Sequence, residues 1–429
     1  MACGCSGKKR HRISPEDLKG QRIPVLGAGM SGRAVATLLE RRGLEPQLFD
    51  ERAPEASRTF SPKRGECPFC VISPGFAQNH PWRAVAAQAG IPLLGELELG
   101  ASAWEGSLLC VTGTNGKTTL TSLLEQALNA AGETAAVCGN IGKPLSALAA
   151  EESTVEWAVC EMSSFQLFDW ADPVAEAAIW TNFDEDHLDW HPSLEDYFRA
   201  KWKLVESGMP VYAGPDVEIA ARSFGLSIPG NLFSVAEVAA DRPASGIFSR
   251  APFSRLYDLA HAWWIASGRD SRSLREVALK FKGLPHRLEP IGQHEGRSFF
   301  NDSKATNFHA ALAACDSIET PICWIGGGAP KGGDLGAFAA EIAKKIDSAD
   351  LFGRTGPELA VFLEKTGIPV RVHSCLEEAA SSAFSHSSST ANLLFSPGFA
   401  SFDQFSGYSE RGEAFRKWVL GLLNRVESI

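Results

Sequence analysis

At 429 residues the chain exceeds what one hydrophobic core organises, so two or three domains are expected. Hydrophobic residues make up 44% and charged residues 21%, which excludes a disordered chain, and no apolar run is long enough to cross a membrane. A net charge of −10 argues against nucleic acid as a partner and requires that any phosphate-bearing ligand be drawn by local positive sites.

Residues 1–12 are polar and basic, lack periodicity, and read as a disordered tail. No apolar segment follows them, so they are not a signal peptide, and a cytoplasmic location with reduced cysteines is expected. Cys3 and Cys5 together with Cys67 and Cys70 offer four thiolates for zinc, but Cys70-Val71-Ile72-Ser73 reads as a strand that buries the last thiol.

The first domain is expected over 13–98. Ile23-Pro24-Val25-Leu26 reads as a strand, Gly27-Ala28-Gly29-Met30-Ser31-Gly32 as a glycine loop, and Ala34, Val35, Leu38 and Leu39 as the buried face of a helix. A second strand, Gln47-Leu48-Phe49, ends in Asp50. This order makes a Rossmann-like site for a diphosphate-linked ligand, with Gly29, Ser31 and Asp50 as binding candidates; NAD is one option among several.

The central domain is expected over 99–287. Ser107 to Thr112 reads as a buried strand, Gly113-Thr114-Asn115-Gly116-Lys117-Thr118-Thr119 as a phosphate loop, and Leu120, Leu123, Leu124, Ala127 and Leu128 as the buried face of the helix after it. Small loop residues let backbone N–H groups and the helix N-terminus face one anion, while Lys117 reaches the outer phosphates and the Thr118 hydroxyl meets Mg²⁺. The general GxxxxGK[ST] pattern is not met, because Val111 stands where its first glycine belongs.

Beyond the loop, Trp157-Ala158-Val159-Cys160 ends in Glu161, and Ala177-Ala178-Ile179-Trp180-Thr181 ends in Asn182, with His187 a few residues on. Strands alternating with helices imply a mostly parallel sheet, whose ligands lie beyond the strands' carboxyl ends. Glu161 and His187 fall there as candidate Mg²⁺ ligands. Lys201, in the helix from Leu194 to Glu206, reads from spacing alone as an exposed helix lysine. Residues 207–252 are weakly patterned, and Gly283-Leu284-Pro285-His286-Arg287 reads as a turn-like boundary.

The last domain is expected over 288–429. Asn301-Asp302-Ser303-Lys304-Ala305-Thr306-Asn307, then the strand Pro321 to Ile325 ending before Lys331, and Leu393-Leu394-Phe395-Ser396-Pro397 make a third α/β unit. It brings lysines and hydroxyls to strand ends, where they suit carboxylates or phosphates.

These motifs resemble the Mur ligases, over a span from Val25 to Arg411. The segment Gly113 to Thr119 is similar to the ATP loop of that family and of the related folylpolyglutamate synthases. Asn301 to Asn307 and Ser396-Pro397-Gly398-Phe399-Ala400-Ser401-Phe402-Asp403-Gln404-Phe405, with Tyr408 and Arg411-Gly412, look like the branch that adds D-glutamate. The resemblance implies a three-domain α/β enzyme: an N-terminal Rossmann-like domain for the UDP-sugar, a central P-loop-type domain for ATP, and a C-terminal Rossmann-like domain for the amino acid. It implies UDP-N-acetylmuramoyl-L-alanine, D-glutamate and ATP as substrates, two Mg²⁺ ions, and a monomer. By the same resemblance Lys117, Thr118, Glu161 and His187 serve phosphates and metals, and Asn140 touches the muramoyl part. Asp302 meets the ATP ribose, and Arg287 and Lys304 the reacting phosphate. Thr306, Lys331, Ser401, Phe402 and Tyr408 surround D-glutamate, and Lys201 matches the lysine that the family carries as a carbamate.

Ser254, Arg255 and Asp258 stand where the family shows His-Asn and a further Asn against adenine, so the adenine contacts stay unassigned, as do the uridine contacts near Glu51 and Arg52. An NAD-dependent oxidoreductase would explain the first glycine loop but leaves Gly116-Lys117-Thr118 without a purpose. A non-catalytic UDP-sugar scaffold leaves Glu161, His187 and Lys201 unused.

Overall fold

The computed structural model describes residues 19–151, 154–188 and 190–424; the basic tail with Cys3 and Cys5 lies outside them. The chain divides into two compact units, one of residues up to 183, 190–242 and 256–278, the other of 184–189, 243–255 and 279 onward.

The first unit holds two sheets. Strands β1 (Arg22–Leu26), β2 (Glu45–Phe49), β3 (Cys70–Ile72) and β4 (Leu93–Gly95) pair in the order β2-β1-β3-β4, all parallel. Helices α1 (Met30–Arg41) and α2 (Pro81–Gln88) connect them, and α1 buries Ala34, Val35, Leu38 and Leu39 as its spacing predicts. Helix α3 (Glu96–Ala103) leads into the central sheet, and its Leu97 and Ala101 share a core with Leu145 and Leu148 of the central sheet's connections.

The central sheet contains β5 (Ser107–Thr112), β6 (Ala135–Gly139), β7 (Trp157–Glu161), β8 (Ala177–Trp180), β9 (Val211–Ala213) and β10 (Leu232–Ser234), in the order β10-β9-β8-β5-β7-β6. Every pairing is parallel. Leu108 to Val111 are wholly buried because helices cover both faces of such a sheet. The helices are α4 (Lys117–Ala130), α5 (Leu145–Ala150), α6 (Ser164–Phe168), α7 (Leu194–Glu206), α8 (Pro215–Ser223), α9 (Phe253–Ala266) and α10 (Ser271–Lys280). The weakly patterned stretch 207–252 therefore contains β9, α8 and β10; strands of three residues are too short to show periodicity.

The second unit is built on β11 (Glu289–His294), β12 (Arg297–Asn301), β13 (Ile322–Gly327), β14 (Ser348–Phe352), β15 (Val370–Val372) and β16 (Asn392–Phe395). Their order is β11-β12-β16-β13-β14-β15, parallel except for the β11–β12 hairpin. Helices α11 (Phe308–Asp316), α12 (Leu335–Ile342) and α13 (Gly356–Leu363) contribute to one core layer, and α14 (Leu376–His386) and α15 (Tyr408–Asn424) to another. The turn before β11 carries His286 and Leu288 at φ 61° and 47°, a reversal that few side chains adopt.

Candidate active site

In the first unit the site begins where β5 ends. The chain turns through Gly113 at φ 139° and Gly116 at φ 81°, and Gly116 opens α4 without a side-chain cap. A Cβ on Gly113 would lie 1.9 Å from Thr181 Oγ1, so the neighbouring strand end admits only glycine there. Asn182 braces the loop, accepting Thr114 N–H at its carbonyl (3.1 Å) and Asn115 N–H at Oδ1 (2.9 Å). Lys117 Nζ folds back to donate to the carbonyls of Gly113 (2.9 Å) and Thr114 (2.8 Å). Thr118 and Thr119 continue the first turn of α4, Thr118 half-buried and Thr119 buried.

Glu161 ends β7, the strand beside β5, and is 2% exposed. Its Oε1 accepts from Asn140 Nδ2 at 2.8 Å, whereas Oε2 is buried with no hydrogen-bond partner. A buried carboxyl oxygen left bare in this way calls for a cation or a donor, so the residue fits a hard-metal ligand.

Lys201 overturns its reading as an exposed helix lysine: it is 1% exposed. Its Nζ donates to Gly113 O at 2.9 Å and Thr112 Oγ1 at 3.3 Å, and lies 4.8 Å from the centre of the Tyr197 ring. Tyr197, one turn earlier on α7, forms a 3.1 Å hydrogen bond between its hydroxyl and Thr114 Oγ1. Thr112, Tyr197 and Thr181 thus brace the Gly113–Gly116 turn without having been singled out by spacing, whereas Asn182 falls at a strand's carboxyl end, where the sequence expects the site. The available signal was that Tyr197, Lys201 and Leu204 share one helical stripe with apolar partners.

At the first sheet, Asp50 accepts backbone N–H groups from Ala28 (2.9 Å), Arg52 (2.9 Å) and Ala53 (3.1 Å). The bond from Ala28, foremost, holds its pKa below the usual carboxylate range. Asp50 therefore shapes the glycine loop with the same carboxylate that a dinucleotide ribose would require. Gly29 is exposed and Ser31 half-buried at the start of α1. In the region assigned to adenine by resemblance, the Asp258 carboxylate is taken by the Arg242 guanidinium and by Ala239 N–H.

The second unit gathers its own set. Asp302 follows β12 and accepts from Ser396 Oγ (2.7 Å) and Leu288 N–H (3.0 Å). Burial pushes its pKa up to about 7 despite those donors. Lys304 Nζ stands 4.1 Å above the Tyr408 ring. Arg411 is wholly buried and donates to Ser303 O (2.8 Å), Ser303 Oγ (3.1 Å), Phe399 O (3.0 Å) and Ala400 O (3.1 Å). It therefore braces the segments that carry Lys304 and Ser401. Ser401 is buried, Arg287 and Thr306 are half-buried, and Phe402 is 75% exposed.

His187 belongs to this unit too, at φ 56°, with Nε2 3.7 Å from Asp186 Oδ2. Asp186 also meets Lys331 Nζ (3.6 Å) and Asn307 Nδ2 (2.9 Å). Burial works against its charge, but His187, Lys331 and these donors hold its pKa low.

The Mur ligase middle domain profile matches residues 111–213. The chain is 34% identical to the UDP-N-acetylmuramoylalanine–D-glutamate ligase of Gloeobacter violaceus, covering 93% of this chain and 99% of that one. It is 31% identical to the ligase of the same name from Shouchella clausii, over 94% and 98%. Among solved structures, the UDP-N-acetylmuramate-alanine ligase MurC of Thermotoga maritima superposes with a TM-score of 0.58 at 16% identity, covering 92% of this chain and 99% of that one. The MurF ligase of Thermotoga maritima in complex with ADP gives 0.59 at 13% identity, over 95% and 97%. At those identities the likeness establishes a shared fold.

Proposed function

The chain belongs to the Mur ligase family, and from that premise we propose that it is the D-glutamate-adding member, an ATP-dependent ligase joining D-glutamate to UDP-N-acetylmuramoyl-L-alanine in peptidoglycan precursor synthesis. The observation that carries the ATP-dependent part of this reading is the juxtaposition of Lys117, Lys201 and the Gly113–Gly116 turn with a buried, half-unpartnered Glu161 on the adjacent strand, while the choice of D-glutamate is supported by the relatives of that name. A dinucleotide oxidoreductase has no use for such a cluster.

In the reaction the substrate carboxylate takes the γ-phosphoryl group of ATP, ADP leaves, and the amine of D-glutamate attacks the resulting acyl phosphate. A tetrahedral intermediate then expels phosphate and leaves an amide. The Gly113–Gly116 turn and the start of α4 orient the phosphates through backbone N–H groups. Lys117 leaves the carbonyls of Gly113 and Thr114 to neutralise the transferred group. Thr118 and Glu161 would hold Mg²⁺, whose positive charge offsets the negative charge that builds on the phosphoryl oxygens; His187, on the second unit, is a metal ligand by the family resemblance alone.

Lys201 is the candidate carbamate. Its amine, removed from water beside the loop, would attack the carbon of CO₂ once neutral, forming a C–N bond and releasing one proton to solvent, to give a carbamate whose oxygens suit the same metal. On the second unit, Lys304 and Arg287 would face the reacting phosphate. Asp302 would meet the ribose, and Thr306, Lys331, Ser401, Phe402 and Tyr408 would hold D-glutamate.

The test is incubation with ATP, Mg²⁺ and UDP-N-acetylmuramoyl-L-alanine against a panel of amino acids. Phosphate release that depends on D-glutamate is the expected result. Release with another amino acid alone, or a change in NADH absorbance without ATP, overturns the assignment.

A further inference from the structure

We infer that Arg83 and Asp169 are positioning residues for the sugar-nucleotide substrate, a buried ion pair that sets the spacing between the glycine loop of the first sheet and the phosphate-loop half of the central sheet. This rests on the reading of those two loops as the sites for the two ends of the substrate.

Arg83 lies on α2 and Asp169 just past α6, with side chains 12% and 8% exposed. The guanidinium forks onto the carboxylate, Nη1 to Oδ1 at 2.6 Å and Nη2 to Oδ2 at 2.8 Å. Two parallel bonds fix orientation as well as distance. The same guanidinium holds the loop after β3, donating to Ala77 O (3.0 Å) and Phe76 O (3.3 Å). That loop walls the glycine turn: a Cβ on Gly27 would meet Ser73 Oγ at 2.6 Å and Phe76 Cε2 at 3.2 Å.

On the other side, Asp169 is fastened to the reacting half. Helix α6 starts three residues after Glu161, behind a capping box made by Ser163 and Gln166. Its far end is pinned by Lys203 of α7, which donates to the carbonyls of Phe168 (2.6 Å), Leu167 and Trp170 (both 3.2 Å). Asp169 O also accepts Gly95 N–H at 3.1 Å, and a Cβ on Gly95 would come within 2.9 Å of that oxygen. The chain entering the central sheet is therefore closed tightly on Asp169. A substrate whose diphosphate sits at the glycine loop and whose carboxyl must reach the γ-phosphate spans both sheets, so its fit depends on their separation.

The experiment is titration of the full-length protein with UDP and, separately, with UDP-N-acetylmuramoyl-L-alanine. Asp169→Ala leaves Arg83 on the loop carbonyls and the Gly95 backbone bond in place but cuts the side-chain tie between sheets. Affinity for UDP should stay within about twofold while affinity for the full substrate falls by roughly tenfold or more, since a misplaced end forfeits the benefit of orientation. The KM for ATP should not move. If the variant does not fold, Asp169→Asn, which weakens the fork and keeps its shape, carries the same comparison with a smaller split. Equal losses for UDP and full substrate, or no loss for either, overturn the proposal. Wild-type protein that binds the sugar nucleotide but releases no phosphate with D-glutamate would instead refute the reading of the reaction, and the titrations would still decide the role of the pair.

Discussion

The side-chain nitrogen of Lys201 lies 2.9 Å from the carbonyl oxygen of Gly113, so a buried lysine closes directly on the Gly113–Gly116 turn. An ammonium excluded from water carries a desolvation cost, against which its hydrogen bonds and the Tyr197 ring act. If the group is converted to a carbamate, Lys201→Ala should lose most ligase activity and recover part of it with small carboxylates. Lys201→Arg should be as inactive, because guanidinium stays charged and cannot react with CO₂. Lys201→Arg retaining its rate with bicarbonate removed would refute the carbamate and leave the ligase assignment standing.

Lys117→Ala should lower the rate of ligation by on the order of 10² to 10³, the usual effect of removing a group that stabilises transition-state charge. Binding of the UDP-sugar, followed by titration, should change little. A parallel loss of sugar-nucleotide affinity would show that Lys117 serves the other substrate.

Gly113→Ala puts a methyl group 1.9 Å from Thr181 Oγ1 at a backbone angle that alanine rarely adopts. Overpacking and backbone strain should each cost about 1–3 kcal/mol. Thermal denaturation should show a lowered midpoint, and the KM for ATP should rise because Lys117 and Lys201 both donate to this residue's carbonyl. An unchanged midpoint and KM would mean that the loop does not need this turn.

Asp302 supplies a pH dependence. Its folded-state pKa, about 7, lies above the ordinary value of 3.8, so the folded protein binds this proton more tightly than the unfolded chain. The stabilisation is complete below 3.8 and is lost as pH rises to about 7, by a few kcal/mol at most. Asp302→Asn cannot ionise, so chemical denaturation across pH 4 to 8 should give a flatter profile than wild type. Identical slopes would show that Asp302 titrates normally.

Much of the frame is legible in the sequence. The apolar runs at Leu108–Val111 and Ala177–Trp180, and the helical stripe at Ala34, Val35, Leu38 and Leu39, mark local periods that strands and helices obey wherever they pack. The turn from Gly113 to Gly116 was equally visible, because its geometry requires glycine at particular positions of a short segment. Resemblance to a family then supplied roles that spacing could not.

The structure added what depends on distant partners. Lys201 reads as a solvated charge until the fold places Gly113, many residues earlier in the chain, against its nitrogen. Asp50 matches a ribose-binding carboxylate by spacing, yet three backbone N–H groups occupy it. Arg83 and Asp169 carry no motif at all, and only the packing of α2 against the end of α6 makes them a pair. Periodicity and turn chemistry are written in neighbouring residues, so the sequence by itself determined the longer strands and helices and the Gly113–Gly116 turn, but not short elements such as those within 207–252. Burial and electrostatic pairing arise where separate segments exclude water from one another, and that only the tertiary structure decided.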